Sequence, residues 1–237
     1  MTINKEIAKE IRKIPNLKKL RLEIDFENQD DVISFFSELD QTSRKLVELD
    51  LFLQFRVLSN VKEHLSQISK IIQNSIKLES FSLTVNAGDA EDFENIFKAI
   101  SMRGKQLKSL SLDSYKLDTS SSGDKRTLVA DLIASLESIE VLKLDLGPTL
   151  YKRLEIEKVF SLLADKKKLR RFLINSLLFS NNHTRIMKTN AILAERATVN
   201  EIGCSNSHQQ FFNFAERIVK YKSMFGSNIS SIMQYAE

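Results

Sequence analysis

LKSLSLDSYKL, residues 107–117, sets Leu107, Leu110 and Leu112 in an L-x-x-L-x-L spacing. Side chains of an extended strand alternate between two faces, so Leu110 and Leu112 share one face while Ser109 and Ser111 share the other. The spacing recurs along the chain. Upstream stand LKKLRL from Leu17, LVELDL from Leu46 and LESFSL from Leu78; downstream stand IEVLKL from Ile139, LRRFLI from Leu169 and VNEIGC from Val199. These starts, at 17, 46, 78, 107, 139, 169 and 199, are separated by 29, 32, 29, 32, 30 and 30 residues. So steady a period signals a repeat architecture.

Each interval also carries apolar residues at helical spacing. Val32, Phe35, Phe36 and Leu39 fall at i, i+3, i+4 and i+7, as do Phe93, Ile96, Phe97 and Ile100. Val129, Leu132, Ile133 and Leu136 repeat the pattern, and so do Ile156, Val159, Phe160 and Leu163. Val61, Leu65, Ile68 and Ile72 trace a similar stripe, whereas Ile186, Leu193 and Ala197 give a weaker one. The pattern predicts one amphipathic helix after each strand. Ser59, Asp89, Asp124 and Thr184 are the candidate N-caps.

Strand leucines at this spacing, each followed by a helix at roughly 30-residue intervals, resemble the leucine-rich repeat family, in particular its ribonuclease-inhibitor-like branch. The resemblance covers about residues 14 to 207. It implies an α/β fold: a right-handed curved solenoid with parallel strands on the concave face and helices on the convex face. One departure stands out. The family often carries Asn three residues after the last strand leucine, and only Asn86 does so here, among Asp25, Gln54, Tyr115, Gly147, Leu177 and Ser207.

A single unit buries too few apolar side chains to offset the entropy of ordering its backbone, so units must stack and their ends need covers. The organisation expected is one domain over 1–237: an N-terminal cap helix in 1–16, seven repeats in 17–206 and a C-terminal helical cap in 207–237. Ile7, Ile11 and Ile14 would form the first lid; Phe211, Ala215, Ile218 and Phe225 would form the last.

Composition agrees with a folded chain: 42% hydrophobic, 28% charged, and only six glycines and two prolines. No segment approaches the roughly 18 apolar residues of a membrane helix, and MTINKEIAKEIRKI lacks the apolar core of a signal peptide. A single cysteine points to a reducing compartment. The localisation expected is therefore cytoplasmic, with a cytoskeletal or ciliary assembly and a secreted bacterial effector both open. The net charge of +4 is too small to imply nucleic acid by itself.

A search for chemistry yields no catalytic, cofactor-binding or metal-binding set. Cys204 occupies the last apolar slot of the seventh strand, where packing explains it. His64, His183 and His208 fall at unrelated slots and form no H-x-x-x-H pair. Gly104 in SMRGKQL reads as a helix C-cap, and no phosphate-loop, dinucleotide or nucleophile-elbow motif occurs. No enzyme and no cofactor are expected.

The surface carries the functional reading. Residues between the strand leucines form a row: Lys19 and Arg21, Glu48 and Asp50, Ser80 and Ser82, Ser109 and Ser111, Val141 and Lys143, Arg171 and Leu173, Glu201 and Gly203. Such uneven chemistry suits a specific protein surface. Before the strands stand Arg44, Lys45, Lys77, Lys105, Lys167 and Lys168, against the single acid Glu137; after them stand Glu23, Asp25, Asp113 and Asp145. One rim should be basic and the other acidic. DKKKLRR, residues 165–171, is the densest basic run, and the serine-rich DTSSSGDK, residues 118–125, reads as a loop.

The function expected is a non-enzymatic protein-binding scaffold or adaptor, a subunit of a larger intracellular assembly that binds through the concave face and a basic rim. Its candidate contact residues are Lys19, Arg21, Glu48, Asp50, Lys143, Lys167, Lys168, Arg170 and Arg171. The partner would be a protein with an acidic surface, with no membrane and no small-molecule substrate involved. The alternative is binding of RNA or a ribonucleoprotein through the basic rim.

Overall fold

In the computed structural model, residues 5–26, 29–55, 61–86, 90–114, 128–145, 156–175 and 201–205 are described. The elements run α1 (Lys5–Lys13), β1 (Lys19–Phe26), α2 (Gln29–Ser43), β2 (Glu48–Phe55), α3 (Val61–Asn74), β3 (Ser80–Val85) and α4 (Ala90–Arg103). They continue as β4 (Ser109–Ser114), α5 (Leu128–Ser135), β5 (Val141–Asp145), α6 (Ile156–Ala164), β6 (Arg171–Asn175) and β7 (Glu201–Ser205). The strands form one all-parallel sheet in the order β1-β2-β3-β4-β5-β6-β7. Each helix packs against the next helix in sequence, so the helices make a second layer beside the sheet.

The register is the one the repeat spacing demands. Lys19, Glu48, Ser80, Ser109, Val141, Arg171 and Glu201 stand in one row across the sheet, and Arg21, Asp50, Ser82, Ser111, Lys143, Leu173 and Gly203 stand in another. Burial alternates along the strands, as a sheet covered on one face requires: in β3, Phe81, Leu83 and Val85 are buried while Ser80, Ser82 and Thr84 are half-buried. The helical stripes meet this inner face. Val32, Phe35, Phe36, Leu39, Leu65, Ile68, Ile72, Phe93, Ile96, Ile100, Leu132 and Leu136 join the strand leucines in one apolar cluster. That continuity explains why units too small to fold alone are ordered together.

A repeated backbone device joins the units. The carbonyl of Lys18 accepts from the N–H groups of both Val47 and Glu48, at 2.7 and 3.0 Å. Val47, Glu79, Lys108 and Glu140 do the same for the pair of residues that opens the next strand. Each strand thus begins where the preceding one fixes it. The turn into β1 carries Asn16 at φ 61°, a left-handed position that Asn tolerates better than most side chains. Asn86, at the family's asparagine position, bonds the backbone of Phe55 one unit earlier.

Two expectations need correction. Ile14 is 46% exposed and does not complete the N-terminal lid; Ala8, fully buried, takes the inward position with Ile7 and Ile11 beside it. Gly104 directly follows the end of α4, as expected, and has a further constraint: a Cβ there would lie 2.2 Å from the Ser135 carbonyl oxygen, so two units approach too closely for a side chain. Asp113 is 5% exposed, not a free charge on the acidic rim. The candidate caps Ser59, Asp89, Asp124 and Thr184, the 118–125 loop, the sixth-interval stripe, His183, His208 and the 207–237 cap lie outside the described residues.

Candidate partner-binding surface

The uncovered face of the sheet is assembled from the residues between the strand leucines. At its first end the charges neutralise one another. Lys19 Nζ lies 2.7 Å from Glu48 Oε1, and Arg21 Nε lies 3.5 Å from Asp50 Oδ2. Each cation faces the acid at the same slot one unit on, because parallel in-register pairing sets equal slots side by side. The basic-then-acidic row read from sequence is therefore a paired patch. The pattern was visible in the row itself, since residues 29 apart become neighbours. Exposed pairs of this kind contribute ~0–1 kcal/mol, so they restrain the patch without locking it.

The middle of the face is neutral and small. Ser80 stands beside Ser109 and Ser82 beside Ser111, all four half-buried. Beyond them Lys143 extends its ammonium to Asp113, 3.2 Å away. Asp113 is enclosed, so Lys143 supplies the charge that makes a buried carboxylate tolerable. This couples Lys143 to the fold as well as to the surface.

The remaining basic residues gather along one edge. Each of β1 to β6 is preceded by a turn that leaves a helix C-terminus, and in-register stacking brings these turns into line. Arg44, Lys45, Lys77, Lys105, Lys167 and Arg170 are exposed there, and among the described residues none makes an ion pair. Lys168 is exposed too, its ammonium donating to the Ser138 hydroxyl at 3.4 Å. Arg171 opens β6 half-buried, beside Val141 and Glu201.

Helix chemistry gives this edge a structural cause. Carbonyls at helix C-termini are unsatisfied and carry partial negative charge, which attracts cations. Arg103 Nη2 donates to the Gln73 carbonyl at 2.6 Å, and Lys166 Nζ donates to the Ala134 carbonyl at 2.9 Å. Burial lowers the Lys166 pKa, with Glu137 and Asp165 opposing the shift. Those two cations serve the helix ends of the preceding units. The same turns hold exposed apolar side chains as well, Ile76 at 55% and Met102 at 66%.

His64 has another role. It is buried on α3, with its ring 5.4 Å from that of Phe55 and nearly parallel to it. Burial lowers its pKa, Glu63 opposing, and its Nδ1 has no hydrogen-bond partner. It is a neutral packing residue. Among the described residues no group of three or more His, Cys, Asp or Glu side chains could hold a metal ion. No helix of the described residues is long and apolar enough to cross a membrane. Cys204 pairs with Ile174 in the register of β6 and β7.

No family model matches the chain, and no curated protein matches it. The class the coordinates define is a repeating α/β layer with sequential parallel strands.

Proposed function

We propose that this protein is a non-enzymatic binding scaffold of the leucine-rich repeat kind, a right-handed curved solenoid that holds an acidic protein partner along its helix-to-strand edge. The observation that supports this reading is the row of exposed cations in the turns before β2, β3, β4 and β6, Arg44, Lys45, Lys77, Lys105 and Lys167, none ion-paired among the described residues; the turn before β5 instead carries Glu137. On the open face, by contrast, Lys19, Arg21 and Lys143 are engaged with Glu48, Asp50 and Asp113. Attraction from a predominantly basic edge speeds encounter and fixes orientation, and exposed Ile76 and Met102 add apolar contact. Nucleic acid fits less well, because the side chains interleaved with these cations are aliphatic and offer no ring for base stacking.

The test begins by cross-linking the protein in its native source and identifying captured chains by mass spectrometry. Reversal of Lys167, Lys168, Arg170 and Arg171 to Glu is then expected to reduce recovery of those partners while the circular dichroism spectrum stays unchanged. Equal recovery by both forms removes the edge from the account. Captured RNA whose affinity falls by orders of magnitude between low and moderate salt would replace the protein partner with nucleic acid.

A further inference from the structure

The first strand is written to pair with itself. Among the described residues β1 ends the sheet, with a strand neighbour on one side only. Because the Lys18 carbonyl accepts from Glu48, strand alternation turns the N–H and C=O of Leu20, Leu22 and Ile24 toward β2. Those of Lys19, Arg21, Glu23 and Asp25 face the open edge. Read outward from Leu22, the sequence KLRLEID is charge-complementary to its own reverse. An antiparallel copy centred on Leu22 sets Lys19 against Asp25, Arg21 against Glu23 and Leu20 against Ile24. That register matches edge-facing residues with edge-facing residues, which is what antiparallel hydrogen-bonded pairs require. One register therefore satisfies backbone, charge and apolar side chains together.

The core at this end is also incomplete. Leu17, Leu20 and Leu22 are half-buried, whereas their equivalents Leu46, Leu49 and Leu51 are 0–1% exposed. Exposed edges attract further strands, and alternating charge on such an edge ordinarily deters unspecified pairing. Here the charges deter other partners and admit one. We propose that β1 is an isologous interface, joining two copies of this chain through antiparallel β1–β1 pairing about a two-fold axis at Leu22, so that both sheets become one.

Sedimentation of the full chain is expected to show twice the monomer mass at micromolar concentration. Two charge variants then test the register. Lys19→Glu with Arg21→Glu opposes acid with acid at four positions, and Glu23→Lys with Asp25→Lys opposes base with base. Each alone is expected to weaken self-association on the order of tenfold or more. Mixed together they are expected to associate as a heterodimer, since every pair becomes complementary. Hydrogen exchange on the unaltered chain supplies a readout that needs no substitution: dilution to monomer is expected to unprotect the Lys19, Arg21, Glu23 and Asp25 amides selectively. A monomeric wild-type chain, variants that self-associate as tightly as it does, or a dimer whose protected amides lie elsewhere would each overturn the assignment.

Discussion

Gly104 and Ser135 meet backbone to backbone: a Cβ on the glycine would sit 2.2 Å from the serine carbonyl oxygen. The contact is sealed by a hydrogen bond from the Glu137 N–H to the Gly104 carbonyl at 3.1 Å. Substitution Gly104→Ala must push two units apart at that point. We expect a loss of about 1–3 kcal/mol, the usual cost of overpacking a rigid site. Chemical denaturation of the variant checks it; an unchanged midpoint would show that the turn can yield.

Leu110 is fully buried in β4. Leu110→Asp buries a carboxylate between Phe81 and Leu142, inside the apolar cluster. Destabilisation of about 4 kcal/mol or more is expected, through lost packing and an unpaired polar group. A thermal melt superimposable on wild type would refute it.

Asn86 ties the end of β2 through a two-point contact. Its Oδ1 accepts from the Phe55 N–H at 2.8 Å, and its Nδ2 donates to the Phe55 carbonyl at 3.4 Å. Asn86→Ala is expected to cost roughly 1–2 kcal/mol by stranding those backbone groups. Amide exchange at Phe55 should quicken by a similar factor in free energy, and protection equal to wild type would contradict the role.

Acidification should weaken the fold through His64. Its folded pKa lies below the ordinary 6.5, because burial disfavours the imidazolium. The unfolded chain then binds the proton more readily than the folded one. The contribution is fully present above pH 6.5 and is lost as pH falls through the lowered folded value. His64→Phe keeps the ring against Phe55 and removes the titration, so it is expected to flatten the stability profile below pH 6.5. Parallel profiles for the two proteins would assign the acid sensitivity to other groups.

Much of the fold was legible because two periods do not mix. Leu46, Leu49 and Leu51 announce a strand, and Phe93, Ile96, Phe97 and Ile100 announce a helix, whatever surrounds them. Packing order followed from the constant interval. What escaped depends on distances between units. Nothing local distinguishes Gly104, which is needed to clear Ser135, from a glycine that merely ends a helix. Asp113 looks like any acid after a strand until Lys143 of the next unit is found 3.2 Å away. The neutralised patch of Lys19, Arg21, Glu48 and Asp50 is implicit in the row, because equal slots of successive units are neighbours. Ile14 misled because its helical phase is correct while the helix stops at Lys13.

The doubly accepting carbonyls of Lys18, Val47, Glu79, Lys108 and Glu140 have a consequence for how this chain can be edited. Each provides the same socket, so a cut made at one and rejoined at the next removes a whole module and leaves the docking geometry intact. Shortening by any other length would leave a socket with nothing to grip. Growth or loss of the protein is thereby restricted to integral modules, and its reach comes in fixed steps.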